Sequence, residues 1–110
     1  MSKYTIEEYP IPAPITSAQR AKLRSMASDM SAIIQVGKGG LNDTLITTVH
    51  DALEARELIK MSVLDNCDYT PRDVADALSE ITRSHCVGVI GRKVLLYRAS
   101  KDSKHPIQLK

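Results

Sequence analysis

The sequence predicts an α/β domain of the α+β two-layer type: a four-stranded mixed sheet with helices packed on it. Three observations predict it. Segments with the 3.6-residue apolar period of a helix alternate with short apolar or period-two runs, in the order α-β-α-β-α-β-β. The 110 residues suffice for one domain with its own core. The last two apolar runs are separated only by Gly91-Arg92-Lys93, a connection that fits a hairpin. A sheet whose first strands are joined by helical crossovers therefore ends in an antiparallel pair.

Residues 1–15 carry Pro10, Pro12 and Pro14, whose alternation forbids a helix and predicts a flexible, extended arm. Ile6, Tyr9 and Ile11 are its candidates for docking on the body. Thr16 and Gln19 form a capping box for a first helix expected to run to Ser31. Its apolar stripe reads Leu23, Met26, Ala27 and Met30. Arg20 and Arg24, four apart, lie one above the other on one flank, and Lys22 lies on the opposite flank. The first strand is Ile33 to Val36. Asn42 is a good N-cap for the second helix, whose apolar face is Leu45, Ile46, Val49, Ala52 and Leu53. His50 falls by angle away from the centre of that face and is expected to be partly exposed and structural. Residues 58–64 form the second strand, with Ile59, Met61 and Val63 on one face and Lys60 and Ser62 on the other. Thr70-Pro71-Arg72-Asp73 opens the third helix, with Val74, Ala77, Leu78 and Ile81 inward and Asp73, Asp76 and Glu80 outward. Strands at 86–90 and 94–98 close the domain at 16–98, and 99–110 read as a basic tail. The second and third helices are expected to share one face of the sheet. The pattern does not place the first helix.

Composition narrows the function. No apolar run approaches the ~18 residues of a membrane helix, and the N-terminus lacks an apolar signal region, so the cytoplasm is expected. Cys67 and Cys86 are far apart, without Cys-x-x-Cys or regular histidine spacing, which predicts neither metal nor cofactor. No spacing of nucleophile and base points to an enzyme. His85 and Cys86 are neighbours in a strand, and so point to opposite faces. The chain has no Phe or Trp, and only Tyr97 of its four tyrosines lies in a predicted strand. That argues against a domain that stacks bases on sheet aromatics.

Charge is segregated along the chain. Residues 16–41 carry four basic and one acidic group, 51–80 three basic and eight acidic, and 81–110 seven basic and one acidic. If the first and last segments meet, one face is basic, the usual footprint of a polyanion partner. The alternative is a solvated, lysine-rich tail. Between the first strand and the second helix stands Gly37-Lys38-Gly39-Gly40. Glycine permits positive φ and close approach of another molecule, and the first amides of a helix favour an anion. The spacing fits neither the Walker pattern nor the dinucleotide fingerprint, since position 42 is Asn42. What remains is a Gly-x-x-Gly clamp of the kind that grips a nucleic-acid backbone, or a tight turn that needs glycine for geometry alone. Asp43, one turn away, weighs against an anion there.

Four stretches resemble one known family in order and spacing. Ile15 to Ala27 is similar to the opening helix of the CRM domain (chloroplast RNA splicing and ribosome maturation). Val36-Gly37-Lys38-Gly39-Gly40-Leu41 resembles its Gly-x-x-Gly loop. Ala52 to Lys60 resembles its junction of second helix and second strand, and Val89 to Arg98 its closing hairpin. A lone domain of this size is similar to the bacterial stand-alone, YhbY-type members. The resemblance implies a fold similar to the C-terminal domain of translation initiation factor three. It implies RNA binding, with the bacterial members associated with large-subunit ribosomal precursors, and it implies RNA contacts at Gly37, Lys38, Gly39 and Gly40. Charge and geometry add Arg20, Arg24, Arg92, Lys93 and Arg98. The expected protein is a monomeric, non-catalytic RNA-binding protein, clamping structured ribosomal RNA by its backbone during ribosome biogenesis, with ribosomal proteins as further partners. The alternative is a protein-interaction module that docks a basic assembly partner on the acidic face of the third helix.

Overall fold

The computed structural model describes residues 13–100 and 107. Most of the expected arm, including Ile6, Tyr9 and Ile11, and most of the expected tail lie outside the described residues. The elements are α1 (Ser17–Ser28), β1 (Ile34–Val36), α2 (Asp43–Arg56), β2 (Leu58–Val63), α3 (Pro71–Ile81), β3 (His85–Ile90) and β4 (Lys93–Tyr97). The order is the expected one. The sheet runs β1-β2-β4-β3, with β1 and β2 parallel and the other neighbours antiparallel.

Local chemistry sets the helix starts. Thr16 Oγ1 accepts from the Gln19 amide at 3.0 Å while Gln19 Oε1 accepts from the Thr16 amide at 2.9 Å. Asn42 Oδ1 accepts from the Leu45 amide at 2.8 Å, and Thr70 Oγ1 from the Asp73 amide at 3.1 Å behind Pro71. α1 ends at Ser28, short of the expected Ser31. Lys60 Nζ, reaching up from the sheet, donates to the carbonyls of Ala27 and Met30 and satisfies acceptors that the helix end leaves open. α2 ends at Arg56, and the capping Glu57 takes a φ of 66° and turns the chain straight into β2.

The sheet separates two apolar clusters. On one face Ile59, Met61 and Val63 of β2 and Val94 and Leu96 of β4 meet Leu45, Val49 and Leu53 of α2 and Val74, Ala75 and Leu78 of α3. The sheet with α2 and α3 is the expected two-layer core, the two helices sharing a face as expected. On the other face Leu58, Val87, Leu95 and Tyr97 meet Leu23 and Ala27 of α1, with Ile15 and Ile107 at the margin. Each fully buried Leu, Ile or Val contributes on the order of 1.5–3 kcal/mol.

Three interior assignments differ from expectation. α1 covers its face alone, so its buried stripe narrows to Leu23 and Ala27, and Met26 is exposed. α3 is turned so that Ala75, small enough for close approach to the sheet, is interior, whereas Ala77 and Ile81 are half-buried. His50 is buried rather than partly exposed, because Arg98 reaches it from the end of β4: Arg98 Nη2 lies 3.0 Å from His50 Nδ1.

Candidate nucleic-acid interface

Three connections meet at one end of the sheet. The glycine loop follows β1, residues 64–70 follow β2, and Gly91-Arg92 joins β3 to β4. Backbone bonds tie them together: the Leu64 amide donates to Val36 O, and the Val63 amide to Arg92 O, each at 2.8 Å. Arg92 completes the tie through its side chain, with Nε donating to Val63 O at 2.6 Å and Nη2 to Leu64 O at 2.7 Å. Asp65 lies 3.2 Å from Arg92 Nε and partly balances its charge.

Within the loop, the Gly40 amide donates to Gly37 O at 3.0 Å, closing a turn with Lys38 and Gly39 at its tip. Two glycines, not three, take positive φ: Gly39 at 98° and Gly40 at 55°. Gly40 is doubly constrained, because a Cβ there would lie 2.7 and 2.9 Å from Cε2 and Cδ2 of Tyr69. Gly37 has an ordinary φ, and a Cβ there would meet only ordinary contacts with Asn66 and Leu64. Among the described residues the amides of Lys38 and Gly39 have no acceptor. They stand exposed beside the α2 N-terminus, where the helix dipole favours negative charge. An open groove of about 600 Å³ leads away from the loop along the free edge of β1, with Gln35, Lys38, Asn42, Thr44 and Thr48 among its lining residues.

Arg98 apart, the expected contact residues divide into three groups. Gly37, Lys38, Gly39, Gly40 and Arg92 are brought together at this end. Lys93 is exposed nearby on the α1 side of the sheet, donating to Ser62 Oγ at 3.0 Å, on a part of that face where Ile90 is also exposed. Arg20 and Arg24 stand at the β3 edge, three strand spacings or ~14 Å across the sheet from β1. Arg20 Nη1 donates to the carbonyls of Cys86 and Val87, where β3 shifts register between Cys86 and Gly88. The exposed Arg24 lies across Gly88, with Nε 3.1 Å from where a Cβ would be. Arg20 also faces His85, whose pKa is lowered first by burial and then by that positive charge, against a backbone hydrogen bond at Ala13 that raises it.

Arg98 is the correction. It is 5% exposed and sits at the opposite end of the sheet. Its guanidinium donates to Thr82 O at 2.7 Å and pairs with Glu54 at 2.8 Å, so it holds the fold together and presents no cation to a ligand. Tyr69 is the residue that sequence reasoning missed at this site. It packs on the loop from 29 positions away, and no local pattern marks it.

A glycine turn with open amides at a helix N-terminus, flanked by lysine and arginine on a mixed α/β sheet, is an arrangement that can accept an anion such as a nucleic-acid phosphate. The CRS1/YhbY (CRM) domain model matches residues 15–98, and the chain belongs to that family, one of non-enzymatic RNA-binding domains. It is 50% identical over 90 residues to the Bacillus subtilis (strain 168) protein named "Probable RNA-binding protein YqeI", covering 82% of this chain and 94% of that one. It is 27% identical over 90 residues to a Haemophilus influenzae protein named "RNA-binding protein", covering 82% and 91%. The solution structure of the Staphylococcus aureus hypothetical protein SAV1595 matches with a TM-score of 0.66 at 42% identity, covering 80% of this chain and 92% of that one.

Proposed function

We propose that this protein binds RNA without catalysis, by clamping its backbone. The amides of Lys38 and Gly39 and the Lys38 ammonium hold one phosphate, and Arg92 and Lys93 hold its neighbours. Arg20 and Arg24 form a separate contact at the β3 edge for structured RNA that spans the sheet. The observation that carries this reading is the pair of acceptor-free amides at the loop tip, beside a helix N-terminus and an open groove. The RNA is ribosomal RNA in large-subunit precursors, bound in the cytoplasm by a monomer during ribosome assembly. Residues 16–98 are the binding domain. Among the described residues no helix is long and apolar enough to cross a membrane.

Asp73, Asp76 and Glu80 are all exposed on α3, which supports a second reading as a docking face for a basic assembly protein. Amide NMR shifts on addition of large-subunit ribosomal RNA fragments distinguish the two. The clamp predicts the earliest and largest shifts at Lys38, Gly39 and Gly40. Silence there, with shifts on α3 on adding a basic ribosomal protein, supports the second reading.

A further inference from the structure

Tyr69 is 46% exposed, although it packs against the most constrained residue of the glycine loop. Its Cε2 and Cδ2 lie 2.7 and 2.9 Å from where a Gly40 Cβ would be, so the ring packs closely over the loop backbone. Among the described residues its hydroxyl has no hydrogen-bond partner. The chain around Tyr69 is acidic: Asp68 precedes it and Asp73 lies in the first turn of α3, both exposed, while the nearby Arg72 is paired with Asp76 at 3.5 Å. A nucleic-acid group that settles beside the ring is therefore a neutral, flat one.

We propose that Tyr69 is a stacking platform for the nucleobase next to the phosphate held by the Gly37–Gly40 loop. This rests on the clamp reading above and adds a base-recognising element to it. Aromatic stacking is tolerant of base identity because every base has a π-face. The platform therefore raises affinity for unpaired, splayed-out nucleotides over duplex, where bases are already stacked. It makes a single-stranded loop or bulge the element of RNA that this end of the sheet selects.

The test uses a single-stranded RNA decamer and a decamer of the same length built from abasic ribose units, with wild type, Tyr69→Trp, Tyr69→Leu and Lys38→Ala. Tyr69→Trp introduces the sole tryptophan of the chain, and its fluorescence is expected to be quenched by the decamer with bases and not by the abasic one. Tyr69→Leu keeps apolar cover over Gly40 without a π-face. It is expected to lose about 5- to 150-fold in affinity for the base-bearing RNA, with an unchanged salt slope and unchanged affinity for the abasic decamer. Equal loss on both decamers, or none on either, overturns the platform while a shallower salt slope in Lys38→Ala leaves the clamp standing. No binding of either decamer by wild type overturns both.

Discussion

The two ends of the sheet use the same kinds of residue to opposite effect. At the end where β2 begins and β4 finishes, charged and polar side chains face inward and answer one another. Arg98 pairs with Glu54 and His50, and Thr82 Oγ1 lies 2.9 Å from Ser84 Oγ. The Glu57 carboxylate accepts from the amides of Ser100 and Ile107, each at 2.6 Å, and so ties down the chain beyond β4. At the other end the Lys38 side chain and two loop amides are exposed, and among the described residues those amides have no acceptor. Arg92 stands between the two cases: Nε and Nη2 are engaged at the β2 exit, yet its side chain is 45% exposed. A basic residue in the sequence is thus a ligand contact only where the fold leaves its charge unspent.

The largest expected effect breaks the comparison at the buried end. Arg98→Met strands Glu54 and His50 without their cation. Removing one partner of a buried pair costs about 3–5 kcal/mol, read as a lower urea midpoint, while the protein that remains folded keeps its RNA affinity. An Arg98→Met variant of normal stability with weakened RNA binding reverses the roles assigned to the two ends.

Next in size is Gly40→Ala. It forces a Cβ onto a residue at φ 55° and against the Tyr69 ring. Strain of this kind costs about 1–3 kcal/mol, and the displaced loop is expected to lose RNA affinity as well. Gly37→Ala, at an ordinary φ with ordinary contacts, is the internal control and is expected to be milder in both respects.

A smaller effect concerns His85, beside α1. Its folded pKa is depressed below the usual value near 6.5, so the unfolded chain binds the proton more readily. The associated stability is complete above about pH 6.5 and is lost as pH falls toward the folded value. His85→Gln removes that portion, and unfolding midpoints followed from pH 7.5 to 5 are expected to fall less steeply in the variant.

What the sequence made legible was local. Thr16, Asn42 and Thr70 announce their helices because a cap and its amide lie three residues apart, and the period-two pattern of Ile59, Met61 and Val63 identifies the inner face of β2. The glycine loop is legible for the same reason. Burial of Arg98 was not, since its partners His50 and Glu54 lie 48 and 44 positions away and the residue reads as one more cation at the end of a strand. Tyr69 was hidden likewise, as one tyrosine in a polar loop. The position of α1 had no pattern to reveal it, because a narrow stripe of Leu23 and Ala27 fits either face of the sheet.

The most direct test of the clamp is a salt series of binding to large-subunit ribosomal RNA fragments by wild type and Lys38→Ala. Lys38 is exposed, so its removal is expected to leave stability within about 0.5 kcal/mol of wild type. The account predicts weaker binding and a log K against log salt slope shallower by about one, the signature of a lost phosphate contact. Equal affinity and equal slope in the two proteins would show that the glycine loop is a turn and nothing more.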